Sequence, residues 1–154
     1  MGETAVTLRG KLETDLKEAL RAGDRTRLTA LRLALAAIHN AEIDKGGSLT
    51  EAEVLGVLQK EAKKYRESIV EFEKGNRPDL VTKEQAELAV IERYMPEQLS
   101  REEVADLARR IADEVGAQGP RDMGKVMPRL MAEIRGRADG KVASQVVQEI
   151  LAAR

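Results

Sequence analysis

Apolar residues recur at intervals of three and four along almost the entire chain, and this spacing places side chains on one face of an α-helix. No segment alternates apolar and polar residues over the length of a β-strand. The pattern therefore predicts an all-α fold. Two apolar faces, in residues 28–38 and 54–72, have the regularity of coiled-coil seams. The buried face of the first helix is predicted at Leu8, Leu12, Leu16, Ala19 and Leu20.

Capping residues indicate where helices begin and end. Residues 50–53, 82–85 and 100–103 each have the spacing of a capping box, in which a hydroxyl and a Glu or Gln side chain satisfy free backbone N–H groups in the first turn. We therefore predict helix starts at all three positions. Gly23 and Gly116 each follow the last apolar residue of a predicted helix and predict its end.

A proline-containing segment, residues 95–99, is the predicted joint between two domains. Proline disfavours a helical conformation in the residue before it, and a new capping box follows at once. We predict a bundle of about four helices in residues 1–97 and a small three-helix domain in residues 98–154. A unit of roughly 55 residues is near the size at which the stability supplied by an isolated core is marginal. This size is compatible with a domain that packs on the N-terminal part or on a larger protein.

Residue types that the chain lacks exclude several kinds of site. The 154 residues include no cysteine and one histidine, His39. Disulfides, thiolate nucleophiles, cysteine metal sites and sites built on two histidines of one chain are therefore excluded. The Ca²⁺-loop, P-loop and dinucleotide fingerprints do not occur. We predict no catalytic residue, no metal and no cofactor.

Charge is balanced, with 26 Lys and Arg against 27 Asp and Glu. A protein held on nucleic acid by its overall field is not indicated, although a local cationic patch is compatible with this balance. No apolar run reaches the ~18 residues of a membrane span, and the first residues show no apolar core of a signal peptide. These features predict a cytoplasmic protein without membrane contact.

His39 has two interpretations. One is a general base oriented by Glu42 or Asp44. The other is a partly exposed polar residue on the flank of a helix. The second is favoured because no nucleophile motif such as G-x-S-x-G accompanies the histidine.

The most unusual segment, residues 136–141, lies between two predicted helices and combines two glycines, two cations and one acid. Residues 120–154 contain seven Lys or Arg and four Asp or Glu. One interpretation is an anion cradle, because the free N–H groups and the dipole of a helix N-terminus favour a phosphate. The other, favoured on physical grounds alone, is a glycine C-cap, a short loop and an aspartate N-cap.

Three segments, residues 122–127, 136–141 and 146–151, are similar to the C-terminal signature of the GatB/YqeY family. The N-terminal part also resembles the free-standing YqeY-like members, with motifs that include residues 72–73 and 94–99. The resemblance covers nearly the whole chain and implies a helical N-terminal domain followed by a small helical domain. The signature is shared with the tail domain of the B subunit of the glutamine-dependent aminoacyl-tRNA amidotransferase, but the catalytic cradle of that subunit is missing here.

In that amidotransferase the related tail domain is thought to help hold the tRNA. The resemblance therefore implies a non-catalytic accessory module whose partner is tRNA or an amidotransferase-type complex. A carbon–nitrogen ligase label, with glutamine as amido donor, would follow from family association only, since the chain has no cysteine and no nucleotide loop. The alternative is a helical adaptor that docks on a protein partner through its seams without RNA contact. The expected nucleic-acid-binding residues are Lys125, Arg129, Gly136, Arg137, Gly140 and Lys141.

Overall fold

The computed structural model describes residues 7–135 and 137–154. These residues form seven α-helices and one short 3-10 turn, Pro120–Asp122, with no β-strand among them. The prediction of an all-α protein is confirmed. The helices are α1 (Leu8–Ala22), α2 (Arg25–Lys45), α3 (Glu51–Lys74), α4 (Pro78–Glu92), α5 (Arg101–Val115), α6 (Met123–Glu133) and α7 (Gly140–Ala152).

The described residues up to Met95 form one compact unit, the N-terminal unit, and Pro96–Arg154 form the C-terminal unit. In the N-terminal unit α2 packs against α1, α3 and α4, and the most extensive pairing is between α3 and α4. All four helices contribute to the apolar core. Its largest fully buried side chains are Leu12, Leu31, Ile38, Leu58 and Ile91.

Small residues take two of the buried positions of α2. Ala30 and Ala34 of α2 are buried, whereas Leu35 is only partly buried. Small side chains shorten the distance between packed helices, and α2 contacts three of them. The burial of Leu20 was predicted wrongly: its side chain is 59% exposed, because the neighbouring Ala19 holds the buried position.

Two of the three predicted capping boxes are confirmed. The hydroxyls of Thr50 and Ser100 accept the N–H of the third helical residue, whose glutamate accepts the N–H of the cap. The box predicted at Thr82 is wrong, because α4 begins at Pro78 and the Thr82 hydroxyl donates to the Pro78 carbonyl oxygen at 3.0 Å. Proline suits the first helical position, because the N–H group that it lacks would have no hydrogen-bond partner within the helix there. A threonine inside a helix often bonds back to the carbonyl four residues earlier.

The helix ends predicted at Gly23 and Gly116 are also confirmed. These glycines have φ of 67° and 69°, in the left-handed region. Their N–H groups donate to carbonyl oxygens of the preceding turn. A side chain is strained at such φ values, so glycine is the residue that allows this ending.

The C-terminal unit is built by α5, α6 and α7, each of which packs against the other two. Pro128 lies inside α6 on the exposed side, and the chain is helical before and after it. The core of the unit comes from one face of each helix. Its fully buried larger side chains are Val104, Ile111, Val126, Leu130, Ile134, Val147 and Leu151.

Candidate nucleic-acid interface

Lys125 and Arg129 lie one turn apart on α6, and their side chains are 64% and 48% exposed. Nζ of Lys125 lies 3.5 Å from Oδ1 of Asp122. Nη2 of Arg129 lies 2.6 Å from Oε2 of Glu114 on α5. Exposed ion pairs contribute only about 0–1 kcal/mol, so both cations can exchange a carboxylate for a phosphate.

Arg129 belongs to a network of alternating charges between α5 and α6. Nη1 of Arg110 lies 3.6 Å from Oε1 of Glu114, and Arg110 also contacts Glu133. The spacing of Arg110 and Glu114 on one helix is visible in the sequence, but the pairing with α6 depends on how the two helices pack. Glu114 also pairs with Arg110. Arg129 can therefore move from Glu114 to a phosphate without leaving the Glu114 carboxylate unpaired.

Arg137, in the loop between α6 and α7, contacts the segment that enters α5. Its Nε donates to the Glu97 carbonyl oxygen at 3.2 Å, and its own carbonyl oxygen accepts the Leu99 N–H at 2.6 Å. Hydrogen bonds from Ser100 lower the pKa of the Glu103 carboxyl, and the charge of Arg137 adds to this lowering. Arg137 therefore holds its loop in place, a role that no local sequence signal indicated.

The N-terminus of α7 is capped by Asp139, whose Oδ1 accepts the Lys141 N–H at 2.9 Å. A carboxylate of the chain thus already uses an N–H group that the anion-cradle interpretation assigned to a phosphate. A Cβ at Gly140 would meet Cε of Met131 at 3.5 Å, an ordinary contact, so the fold does not require glycine at this position. Gly136 lies outside the described residues.

The four candidate cations form two groups, Lys125 with Arg129 and Arg137 with Lys141. Arg129 lies beside Glu114 near the end of α5, whereas Arg137 contacts residues just before its start. From Glu103 to Glu114 a helical rise of about 1.5 Å per residue gives about 16 Å between the two regions. Lys141 lies four residues after Arg137 in the sequence. It is exposed and has no ion-pair partner among the residues that the structure describes.

The C-terminal unit has no net charge. Residues 96–154 contain ten Lys or Arg and ten Asp or Glu, so the acids of α5 together with Glu97 offset the excess counted in residues 120–154. A unit without a net positive field attracts nucleic acid only through the placement of individual exposed cations.

His39 is exposed on α2. Glu42 contacts Arg9 instead, and within the described residues no hydrogen bond joins His39 to Glu42 or Asp44. This placement agrees with the favoured interpretation of an exposed polar residue and does not form an oriented base.

Two tyrosines bind carboxylates inside the N-terminal unit, and no local sequence signal indicated either pair. The Tyr65 hydroxyl donates to Oε1 of Glu87 at 3.0 Å, and the Tyr94 hydroxyl donates to Oδ2 of Asp15 at 2.5 Å. Burial raises the pKa of both hydroxyls, and the neighbouring carboxylates raise it further. Because the partners are far apart in sequence, no periodicity or spacing pointed to these pairs.

The fold and the site define an all-helical protein whose candidate interface consists of exposed cations. The family model for the Yqey-like proteins matches residues 9–151. "Altered inheritance of mitochondria protein 41, mitochondrial" of Pyrenophora tritici-repentis is 34% identical over 147 residues, which are 94% of this chain and 81% of that protein. Proteins of the same name from Saccharomyces cerevisiae and Lachancea thermotolerans are 42% and 40% identical over 85 residues, which are 54% of this chain and 46% of each relative. The chain therefore belongs to the YqeY-like family, as its sequence motifs indicated.

The names of these relatives describe mitochondrial proteins. This finding contradicts the prediction of a cytoplasmic protein, and that prediction is wrong. It relied on the lack of an apolar segment, a feature that does not distinguish one aqueous compartment from another. Within residues 7–135 and 137–154, no helix has both the length and the apolar character needed to cross a bilayer.

Proposed function

We propose that this chain is a non-catalytic accessory module that binds tRNA, or a complex that handles tRNA, through a C-terminal domain of residues 98–154. Residues 1–97 form a separate helical domain in this proposal. The observation that carries it is the exposure of Lys125, Arg129 and Lys141 on α6 and α7. The similarity of residues 122–127, 136–141 and 146–151 to a tRNA-holding tail domain supports the same role.

Each cation has a distinct way to contact a phosphate. Lys141 has no ion pair to break within the described residues, and the 3.5 Å separation of Lys125 from Asp122 is long for a hydrogen bond. The planar guanidinium of Arg129 can bind a phosphate through two parallel N–H groups. Nε of Arg137 is engaged with Glu97, so only its two terminal nitrogens are left for a phosphate. Four such contacts and no supporting net charge predict weak binding that depends strongly on salt.

Binding of the purified chain to total tRNA at about 50 and 200 mM salt tests the proposal. Four phosphate contacts predict a slope near −3 when the logarithm of the association constant is plotted against the logarithm of salt concentration, and affinity then falls roughly 60-fold over this range. Absence of binding at low salt contradicts the proposal.

A pair of lysine variants locates the contacts. The double change Lys125→Ala and Lys141→Ala removes two cations and is expected to reduce the slope by about 1.5 units. The matched control is Lys60→Ala with Lys63→Ala, because both lysines are exposed on α3 and have no ion pair among the described residues. An unchanged slope in the first variant, or an equal reduction in the control, contradicts the assignment of the site to α6 and α7.

The alternative is a protein adaptor that makes no RNA contact, and the two predicted seams bear on it. Leu31, Ile38 and Leu58 are fully buried in the core of the chain itself, and Tyr65 is 6% exposed. A partner would therefore have to use another face of these helices. Recovery of an identified protein partner after nuclease treatment, with no RNA retained, would favour the adaptor.

A further inference from the structure

The second helix presents one face to solvent along most of its length, while its other sides pack against α1, α3 and α4. At 3.6 residues per turn most of the exposed residues fall within a sector of about 120°, and the exposed Asp44 lies just beyond its edge. We call this sector the α2 outer face. It is defined by Arg25, Arg32, Leu33, Ala36, His39 and Ile43.

The α2 outer face carries cations and no acid. Arg25 and Arg32 are exposed, one heptad apart, and neither forms an ion pair within the part of the chain that the structure describes. Arg27, on another side of the same helix, does pair with Glu18 at 3.9 Å. No Asp or Glu occurs in residues 25–41, which surround the two arginines, whereas Glu42 and Asp44 flank Ile43 near the end of the helix. The two guanidinium groups are therefore available to carboxylates from outside the chain.

The same face exposes large apolar side chains. Leu33 is 48% exposed and Ile43 is 63% exposed. Ala36 lies between them, and its small side chain permits close approach of another helix. One exposed apolar residue is ordinary on a protein surface. Two on one helix face, with an alanine between them and unpaired arginines nearby, form the pattern of a helix contact.

We propose that the α2 outer face binds an amphipathic helix of a partner protein that carries acidic residues one heptad apart. Its carboxylates pair with Arg25 and Arg32, since arginine binds carboxylates through two hydrogen bonds. Its apolar side chains cover Leu33 and Ile43. This surface belongs to the N-terminal unit and shares no residue with the cations proposed to contact tRNA, so the two proposals can fail separately.

Charge and apolar character together favour this occupant over two others. A second copy of the chain docked in parallel through the same face would place arginine against arginine. A nucleic-acid backbone would leave Leu33 and Ile43 against phosphates, and the face has no aromatic residue on which a base could stack.

Site-specific photocrosslinking tests the proposal. The full chain with Ala36→p-benzoylphenylalanine is expressed in its own organism and irradiated, and the crosslinked peptide is identified by mass spectrometry. The expected adduct is a single partner segment with Asp or Glu at helical spacing and apolar residues between them. Arg25→Glu with Arg32→Glu is expected to reduce the yield at least tenfold, because two attractions become repulsions.

The control changes the same amount of charge elsewhere. Lys11→Glu with Lys17→Glu alters two exposed lysines of α1 that have no ion pair among the described residues, and it should leave the yield within twofold. Thermal melting checks that each variant is folded, and Leu33→p-benzoylphenylalanine replaces the Ala36 variant if that one melts early. An adduct to RNA, to a second copy or to a segment without acids overturns the proposal. Equal losses in both charge variants, or no adduct from either position, also overturn it.

Discussion

The Tyr65 hydroxyl on α3 donates a 3.0 Å hydrogen bond to Oε1 of Glu87 on α4, and the two residues are only 6% and 4% exposed. Burying a carboxylate is unfavourable unless donors replace the water that it loses. The tyrosine supplies such a donor at the most extensive helix pairing of the N-terminal unit. Because burial and the nearby carboxylate raise the pKa of the hydroxyl, it remains a donor throughout the neutral pH range.

Tyr65→Phe is expected to lower the free energy of unfolding by about 1–3 kcal/mol, because the buried Glu87 carboxylate loses its donor. Urea denaturation followed by circular dichroism measures the change. The double variant Tyr65→Phe with Glu87→Met replaces both polar groups by apolar ones and should be less destabilised than the single variant. A single variant as stable as the unaltered chain would show that the hydrogen bond contributes nothing.

The stability of the N-terminal unit is expected to depend on pH through Glu53. Its carboxylate accepts hydrogen bonds from Nζ of Lys45 at 2.6 Å and from the Thr50 N–H at 3.0 Å, and these lower its pKa from 4.5 to about 2. A folded-state pKa below the ordinary value means that the ionised form is favoured by folding. The stabilisation is therefore complete above pH 4.5 and is lost as the pH falls through about 2.

Glu53→Gln tests this dependence, because glutamine can still accept the Thr50 N–H but has no charge for Lys45. The variant should be less stable than the unaltered chain near neutral pH, and the difference should shrink as the pH falls from about 5 to about 2. Chemical denaturation at several pH values provides the measurement. Glu67→Gln, at an exposed position of α3 without an ion pair among the described residues, is the control. A difference that stays constant with pH would contradict the charge pairing.

Signals that depend on residues a few positions apart predicted the local structure well. The boxes at Thr50 and Ser100 and the glycine ends are each determined within about one helical turn. The capping box predicted at Thr82 is wrong because Pro78, four residues earlier, also signals a helix start. The spacing of a capping box does not show which of two start signals the helix uses. The exposure of Leu20 shows the same limit, since periodicity does not decide between adjacent apolar residues at the edge of a face.

Contacts between distant segments could not be predicted from the sequence. The pairing of Arg129 with Glu114 requires the packing of α6 on α5, and the bond from Arg137 to Glu97 spans 40 residues. Sequence patterns therefore identified cations at the loop between α6 and α7 but not the partners that hold them. These partners separate Lys141, which has no ion pair among the described residues, from Arg137, which also holds its loop in place.

Two glycine substitutions are expected to change stability in opposite directions. Gly116→Ala places a side chain at φ 69°, which costs roughly 1–2 kcal/mol. Gly56→Ala lies within α3, where an added Cβ meets nothing within 4 Å, and should raise stability by about 0.5–1 kcal/mol because alanine favours a helix more than glycine does. Thermal unfolding of the two variants beside the unaltered chain measures both changes. Shifts of the same sign would contradict the backbone conformation at one of the positions.

Arg137→Ala is expected to lower the free energy of unfolding by about 1 kcal/mol, because the Glu97 carbonyl loses its donor. Arg135→Ala removes an exposed arginine of the same loop that has no ion pair among the described residues, and Lys141→Ala removes the exposed cation of α7; each should change stability by less than about 0.5 kcal/mol. Urea denaturation of the three variants separates the structural arginine from the others. If Arg137→Ala is as stable as Arg135→Ala, the loop is held by its backbone bond to Leu99 alone, and any loss of tRNA binding in that variant then reports the missing phosphate contact directly.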